Sequence, residues 1–300
     1  MLFRSGFSYD LFLRGASQLS FLNRSLKNPY FDILPANADI GGGANISAEN
    51  LLRPLPLFRG ITQTTNPWAK YRYDSLQIQM ERRFLDSAQT GILTFLLTYT
   101  FSKSFEASHR LNSWNLREKP VHELTALDKP HTLGLAGVWD LPVGWGRRWL
   151  NNGNRLAGAF TNGWTVDWIF TYYSGYPVAK PDAYFVCSSY FAPGGQTAGQ
   201  WFNNDRKCYQ QRPQYSLRTA EDRFSNIRNP SAPQLNLSIE KTFWLGERYT
   251  FQLRGEAFNV TNTPILGAPN SDFHDLRFGQ LPPWQNNFPR FIQFGAKISF

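Results

Sequence analysis

Seven stretches of this chain alternate apolar and polar residues with a period of two. They occupy residues 73–84, 91–102, 131–141, 164–175, 234–243, 249–259 and 291–300. In the last of them Ile292, Phe294, Ala296, Ile298 and Phe300 share one face, while Gln293, Gly295, Lys297 and Ser299 share the other. Phe291 is its one apolar exception. In the first, Leu76, Ile78, Met80 and Phe84 oppose Ser75, Gln77, Gln79, Glu81 and Arg83. Successive side chains on a strand point to opposite sides, so each stretch reads as a strand with a different solvent on each face. A soluble antiparallel sheet and one wall of a membrane barrel both meet that description.

The connections separate the two. Residues 85–90, 142–163 and 244–248 form a shorter set; residues 103–130, 176–233 and 260–290 form a longer one. The sets alternate along the chain, so an antiparallel meander places all the short connections at one end and all the long ones at the other. Outer-membrane barrels have short periplasmic turns and long extracellular loops; nothing in a soluble sandwich sorts loops by end. Segment 142–163, which carries Gly144, Gly146, Gly153 and Gly158, is long for a periplasmic turn. The polar faces point the same way. Asp167, Glu240, Arg254, Glu256 and Lys297 lie mid-strand. In a dry core each would cost several kcal/mol unless paired, whereas a hydrated lumen solvates them. Aromatic residues make up 16% of the chain and mean hydropathy is −0.41. A barrel wall combines aromatic girdles with a modest average hydropathy, because its apolar residues are interleaved with polar ones.

The expected fold is therefore all-β: an antiparallel transmembrane β-barrel segment of about seven or eight strands. Residues 7–13 are the candidate eighth. Seven strands do not close the usual even-numbered barrel, and an open edge in lipid leaves backbone groups unsatisfied. A piece of a larger barrel is the expectation. Residues 1–70 form a loop-rich segment, punctuated by Pro29, Pro35, Pro54, Pro56 and Pro67, with room for one strand; residues 71–300 carry the barrel strands. Gly41, Gly42 and Gly43 are followed by no Lys-Ser/Thr and do not form a phosphate loop. Residues 1–10 contain no apolar h-region or cleavage site. For an exported protein this leads us to expect that the true beginning of the chain is missing.

Net charge is +9, but Lys and Arg are dispersed and form no basic run, so nucleic acid is not an expected partner. Outer-membrane lipid and anionic lipopolysaccharide are. Cys187 and Cys208 lie in the same long connection. On an extracellular loop they are expected to form a disulfide, with two free thiols as the alternative. The loop aromatics Trp114, Tyr184, Tyr190, Trp201, Phe273 and Trp284 offer faces for stacking on a small molecule or glycan; packing of the loops on one another is the competing use. His109, His122, His131 and His274 are scattered, with Glu106, Glu118 and Glu123 near the first three, and show no spacing of the HExxH kind. Neither catalysis nor a metal or other cofactor is expected.

Several longer motifs carry a resemblance. SLKNPYFDILP at 25–35, LLRPLPLFRGI at 51–61, YDSLQIQMERRF at 73–84, TYTFSKS at 98–104 and LRGEAFNVTNTP at 253–264 lead, with FTNGW at 160–164 and FGAKISF at 294–300 in support. Together they resemble the C-terminal part of TonB-dependent outer-membrane receptors of the Oar-like subgroup. Residues 1–19 match least. The resemblance implies a 22-stranded barrel, of which this chain would be roughly the last third. It also implies an N-terminal plug and a TonB-contact segment, which we expect to lie outside these 300 residues. It implies further that the last strand, through Phe294, Ile298 and Phe300, is read by the barrel-assembly machinery. The expected function is the barrel wall and ligand-binding loops of a receptor taking up a scarce nutrient (siderophore, glycan or peptide) at the bacterial outer membrane. The TonB complex would act only through the missing plug. A secreted soluble β-sandwich binding carbohydrate, and a small autonomous barrel with a structural or adhesive role, are the alternatives.

Overall fold

The computed structural model describes residues 20–35, 40, 42–52, 57, 67–112, 118–151, 155–213, 216–246 and 248–300. In chain order the strands are β1 (Ser25–Lys27), β2 (Asn45–Ser47), β3 (Lys70–Phe84), β4 (Ile92–Ala107), β5 (Glu123–Leu124), β6 (His131–Asp140), β7 (Trp164–Tyr173), β8 (Pro177–Ala179), β9 (Ala183–Phe185), β10 (Tyr209–Gln211), β11 (Arg223–Arg228), β12 (Gln234–Leu245), β13 (Tyr249–Phe258) and β14 (Phe291–Ser299). The seven long strands form one sheet in the order β14-β13-β12-β7-β6-β4-β3, and every neighbour is antiparallel. Each alternating stretch of the sequence is one of these strands. The candidate strand at 7–13 lies outside the described residues.

The register carries one face across the whole sheet. Gln79 pairs with Thr98, Thr98 with Gly134, Gly134 with Thr171 and Thr171 with Gln234; nearer the other end Asp167 pairs with Ser238, Ser238 with Glu256 and Glu256 with Gln293. This polar face is bonded from strand to strand. Thr165 Oγ1 donates to Asp140 Oδ1 at 2.6 Å, and Arg254 reaches Ser238 Oγ at 3.0 Å and Glu256 Oε1 at 2.8 Å. Gln252 donates to Glu240 and Gln293 to Glu256. Cross-strand polar pairs of this kind hold register without entering an apolar core. The opposite face presents Leu76, Ile78, Met80, Ile292, Phe294 and Ile298, all exposed. So large an uncovered apolar surface marks contact with something other than water.

Glycine closes the sheet's short-connection end. Gly91 has φ +68°, and a Cβ there would lie 2.0 Å from Asp140 O. Gly163 has φ +71° and faces Thr242 O across the sheet, where a Cβ would sit at 2.6 Å. Both positions exclude other side chains. Segment 141–163 is longer because it folds on itself and contains a short helix, Arg155–Thr161. Arg147, which forks onto Asp86 and also donates to Ser87 O, ties it to the turn 85–91. That pairing holds the Asp86 carboxyl below the usual carboxylate range.

At the other end the long connections build a folded cap. Val178, Phe202, Cys208, Tyr209, Phe224, Ile227 and Phe278 form its buried core, contributed by segments 174–233 and 259–290. Two small two-stranded pairings, β8 with β11 and β9 with β10, frame it. Cys187 and Cys208 are joined in a disulfide with a Cα–Cα separation of 5.1 Å, tying the segment after β9 to the 3-10 turn Arg206–Cys208 that leads into β10. On the N-terminal side β1 and β2 pair around Asn28, whose amide donates to Gly43 O at 2.8 Å and Ile40 O at 2.5 Å.

Candidate functional site

The cap is where chemistry-bearing side chains converge, and buried ion pairs fix it to the sheet. Asp128, with its side chain wholly buried, accepts from Ser104 N at 2.7 Å and pairs with Arg228. Arg223 reaches Glu106 Oε1 at 2.8 Å and Glu123 Oε1 at 2.7 Å, linking β11 of the cap to β4 and β5 of the wall. A carboxylate this deep is stable only when its remaining lone pairs are used. Glu123 Oε2 accepts from Asp222 N at 2.9 Å. Burial still pushes the Glu123 carboxyl above its ordinary value, with Arg223 pulling in the opposite direction.

His109 completes this junction. Its Nε2 lies 2.7 Å from Asp222 Oδ2 and 3.7 Å from Glu123 Oε1. The ligand atoms of His109, Glu123 and Asp222 all fall within 4.8 Å of one another, a donor set of the type that holds zinc. Each carboxylate, however, already carries a guanidinium: Arg223 on Glu123 and Arg218 on Asp222. The arrangement is that of a latch between two long loops. The other histidines go elsewhere. His122 stacks on Phe105, His131 bonds Tyr99 Oη at 2.9 Å, and His274 bonds Gln211 Oε1 at 2.7 Å. Asp222 lies 113 residues from His109 in sequence, so no local spacing announced the trio.

Beside the latch the cap opens into a hollow of about 180 Å³ whose lining includes Asp182, Tyr184, Phe185, Tyr190, Arg212 and Arg218. Arg212 forks onto Asp182, with both N–H···O distances 3.0 Å, and holds the Asp182 carboxyl below the usual range. Arg218 stands 3.8 Å from the same carboxylate. Tyr190 lies against Phe185 with ring centroids 3.8 Å apart, and burial raises its phenol. Tyr184 Oη donates to Leu217 O at 3.0 Å. A bidentate ion pair beside two tyrosines presents donors, acceptors and ring faces together, the mixture that binds small polar molecules.

Of the aromatics singled out from sequence, the structure brings Tyr184 and Tyr190 to this hollow. Trp201 and Phe273 pack against the cap core, and Trp201 Nε1 donates to Arg228 O at 2.6 Å. Trp284 is exposed on the loop after β13. Trp114 lies outside the described residues. Phe294, Ile298 and Phe300 sit on the exposed apolar face at the end of the sheet.

The family model described as an outer membrane beta barrel domain matches residues 21–293. No curated protein and no solved structure matches the chain.

Proposed function

The chain belongs to the outer membrane beta barrel domain family, and we propose that within it the chain is wall and loops of a TonB-dependent receptor of the Oar-like kind. Its place is the bacterial outer membrane. In this reading the apolar face meets lipid, the bonded polar face lines a hydrated lumen, and the cap is extracellular. The capture site is the hollow of Tyr184, Tyr190, Asp182, Arg212 and Arg218, and its ligand is a small polar nutrient such as a ferric siderophore, an oligosaccharide or a peptide. Uptake then requires a plug and the TonB complex. The observation that carries the reading is the cap itself: a loop assembly with its own core, bonded to the strand ends and opening a lined hollow on the side away from the short turns. A purely structural barrel has no use for it.

The test is uptake in the native host. Deletion of the gene should lower accumulation of one of three labelled probes: a ferric catecholate siderophore, an oligosaccharide or an oligopeptide. Collapse of the proton-motive force should abolish the same uptake. Arg212→Ala, which opens the fork on Asp182, should weaken binding of that probe to intact cells roughly tenfold or more, the usual cost of losing a charge-assisted pair. If uptake persists without proton-motive force, the TonB reading fails and passive diffusion through the barrel replaces it.

A further inference from the structure

We propose that the lipid-facing wall carries a built site for one anionic phospholipid of the inner leaflet, its acyl chain in a hollow above β12 and β13 and its phosphate at Lys241. The proposal rests on the reading above only in placing this face in the membrane with the short turns periplasmic. The hollow is about 590 Å³, and its lining includes Phe160, Trp164, Leu237, Ile239, Phe243 and Leu253. Three charged residues also line it: Arg254 and Glu256, which pair with each other at 2.8 Å, and Lys241. Lys241 shares the face of Leu237, Ile239 and Phe243, yet is only 5% exposed. Its ammonium donates to Asn162 O and, at 3.2 Å, to Thr242 O, both neutral carbonyls. It lies 4.4 Å from the centroid of Phe243 and 5.8 Å from that of Trp164.

No ion pair among the described residues includes Lys241. Glu240 and Glu256 lie close in sequence and register, but they point to the lumen face, where Gln252 and Gln293 bond them. A lysine buried without a counter-charge on a lipid face is costly, and side chains there extend toward the nearest headgroup layer. Lys241 lies four residues before the short-turn end of β12 at Leu245, so that layer is the inner leaflet. The helix Arg155–Thr161 closes the hollow on that side, and Phe160 is 69% exposed beside it. An acyl chain satisfies the apolar walls. A phosphate whose charge is not cancelled within its own headgroup satisfies the lysine, which selects phosphatidylglycerol-type lipids over zwitterionic ones. Lipopolysaccharide, although anionic, occupies the opposite leaflet.

Native mass spectrometry can count lipids retained by the full-length protein after reconstitution in nanodiscs of phosphatidylcholine doped with phosphatidylglycerol. The wild type should retain one phosphatidylglycerol. Lys241→Met should lower the retained fraction about fivefold, the effect of one basic residue at an anionic membrane surface. Lys241→Arg should keep it. Leu253→Trp, which fills the hollow and leaves the lysine in place, should lose it too and decides the question if Lys241→Met does not assemble. Equal retention in the wild type and Leu253→Trp, or retention of phosphatidylcholine as strong as that of phosphatidylglycerol, would overturn the site. Heat-modifiable gel mobility of the same samples reports the barrel separately: its absence in the wild type would sink the membrane reading itself.

Discussion

Single buried residues decide which side chains hold loops and which remain free to bind. Asn259-Val260-Thr261 has the pattern of an N-glycosylation acceptor, yet Asn259 is only 3% exposed and in the left-handed region at φ 48°. Its amide donates to Thr263 O and Phe288 O and accepts from Thr263 N, so it fastens both ends of the loop 259–290 to β13. The motif is thus a loop closure, and a residue tolerant of positive φ with a short amide is what that closure requires. Glu123 makes the opposite bargain, since its burial disfavours the ionised form. The ordinary value for its carboxyl is 4.5, and the folded cap raises it. Between those two values the folded cap holds a proton that the unfolded loop releases, so cap stability falls as pH rises across that window. Asp182, held below 3.8 by Arg212, titrates beneath it. The urea midpoint of cap unfolding should therefore decline from pH 4.5 upward in the wild type and be flat over the same range in Glu123→Gln. A wild-type midpoint that rises there would contradict the assignment.

The strands and the cap were unequally legible, for a physical reason. A wall strand separates two solvents along its whole length, so period two is written into it, and all seven could be read from sequence. The end of β4 could not. Residues 103–107 continue the strand past the alternating stretch because Ser102, Ser104 and Glu106 bond the loop that folds back on them: Ser102 Oγ donates to Lys129 O at 2.9 Å, and Glu106 takes Arg223. Strands β8 to β11 are three to six residues long and are defined by partners tens of residues away, so no local pattern marks them. The cap hollow inherits that obscurity: Tyr184 and Tyr190 were visible as aromatics, but Arg212 and Arg218 join them only through β9–β10 pairing and the Asp182 fork. The disulfide supports the same element. Closing a separation of 21 residues is worth about 3 kcal/mol in the chain-entropy view. Replacing Cys187 and Cys208 together by Ser should lower the unfolding free energy of the cap, read from urea titration, by about that amount and expose segment 176–233 to protease. Heat-modifiable mobility of the wall should be unchanged, because the disulfide lies within the cap, whose core includes Cys208. Loss of wall mobility in the double variant would show that cap and wall fold as one unit.

For the whole molecule the decisive fact is direction. Strand β3 runs toward the short-turn end, and after six antiparallel neighbours β14 runs the same way. Joining these two edges to each other would make a parallel seam. Leaving them open in hydrocarbon would strand the backbone groups of a 15-residue edge and a 9-residue edge, each unsatisfied group costing several kcal/mol. An all-antiparallel closure therefore needs an odd number of further strands between β14 and β3, a condition that a 22-stranded barrel meets. On that closure the two edges would be halves of two separate seams, with Phe294, Ile298 and Phe300, which close the alternation of β14, on the exposed apolar side of one of them. Cysteine pairs distinguish this from a seven-stranded barrel closed directly between β14 and β3. Leu253→Cys with Ala296→Cys, register partners on β13 and β14, should oxidise readily in intact outer membranes and show that the sheet is formed there. Ala296→Cys combined in turn with cysteines at Leu76, Ile78, Met80 and Arg82 of β3 should give no intramolecular disulfide if, as an all-antiparallel closure requires, further strands stand between those edges. A single efficient cross-link in that second series would place β3 against β14, and the larger barrel would have to be abandoned for a seven-stranded one with a parallel seam.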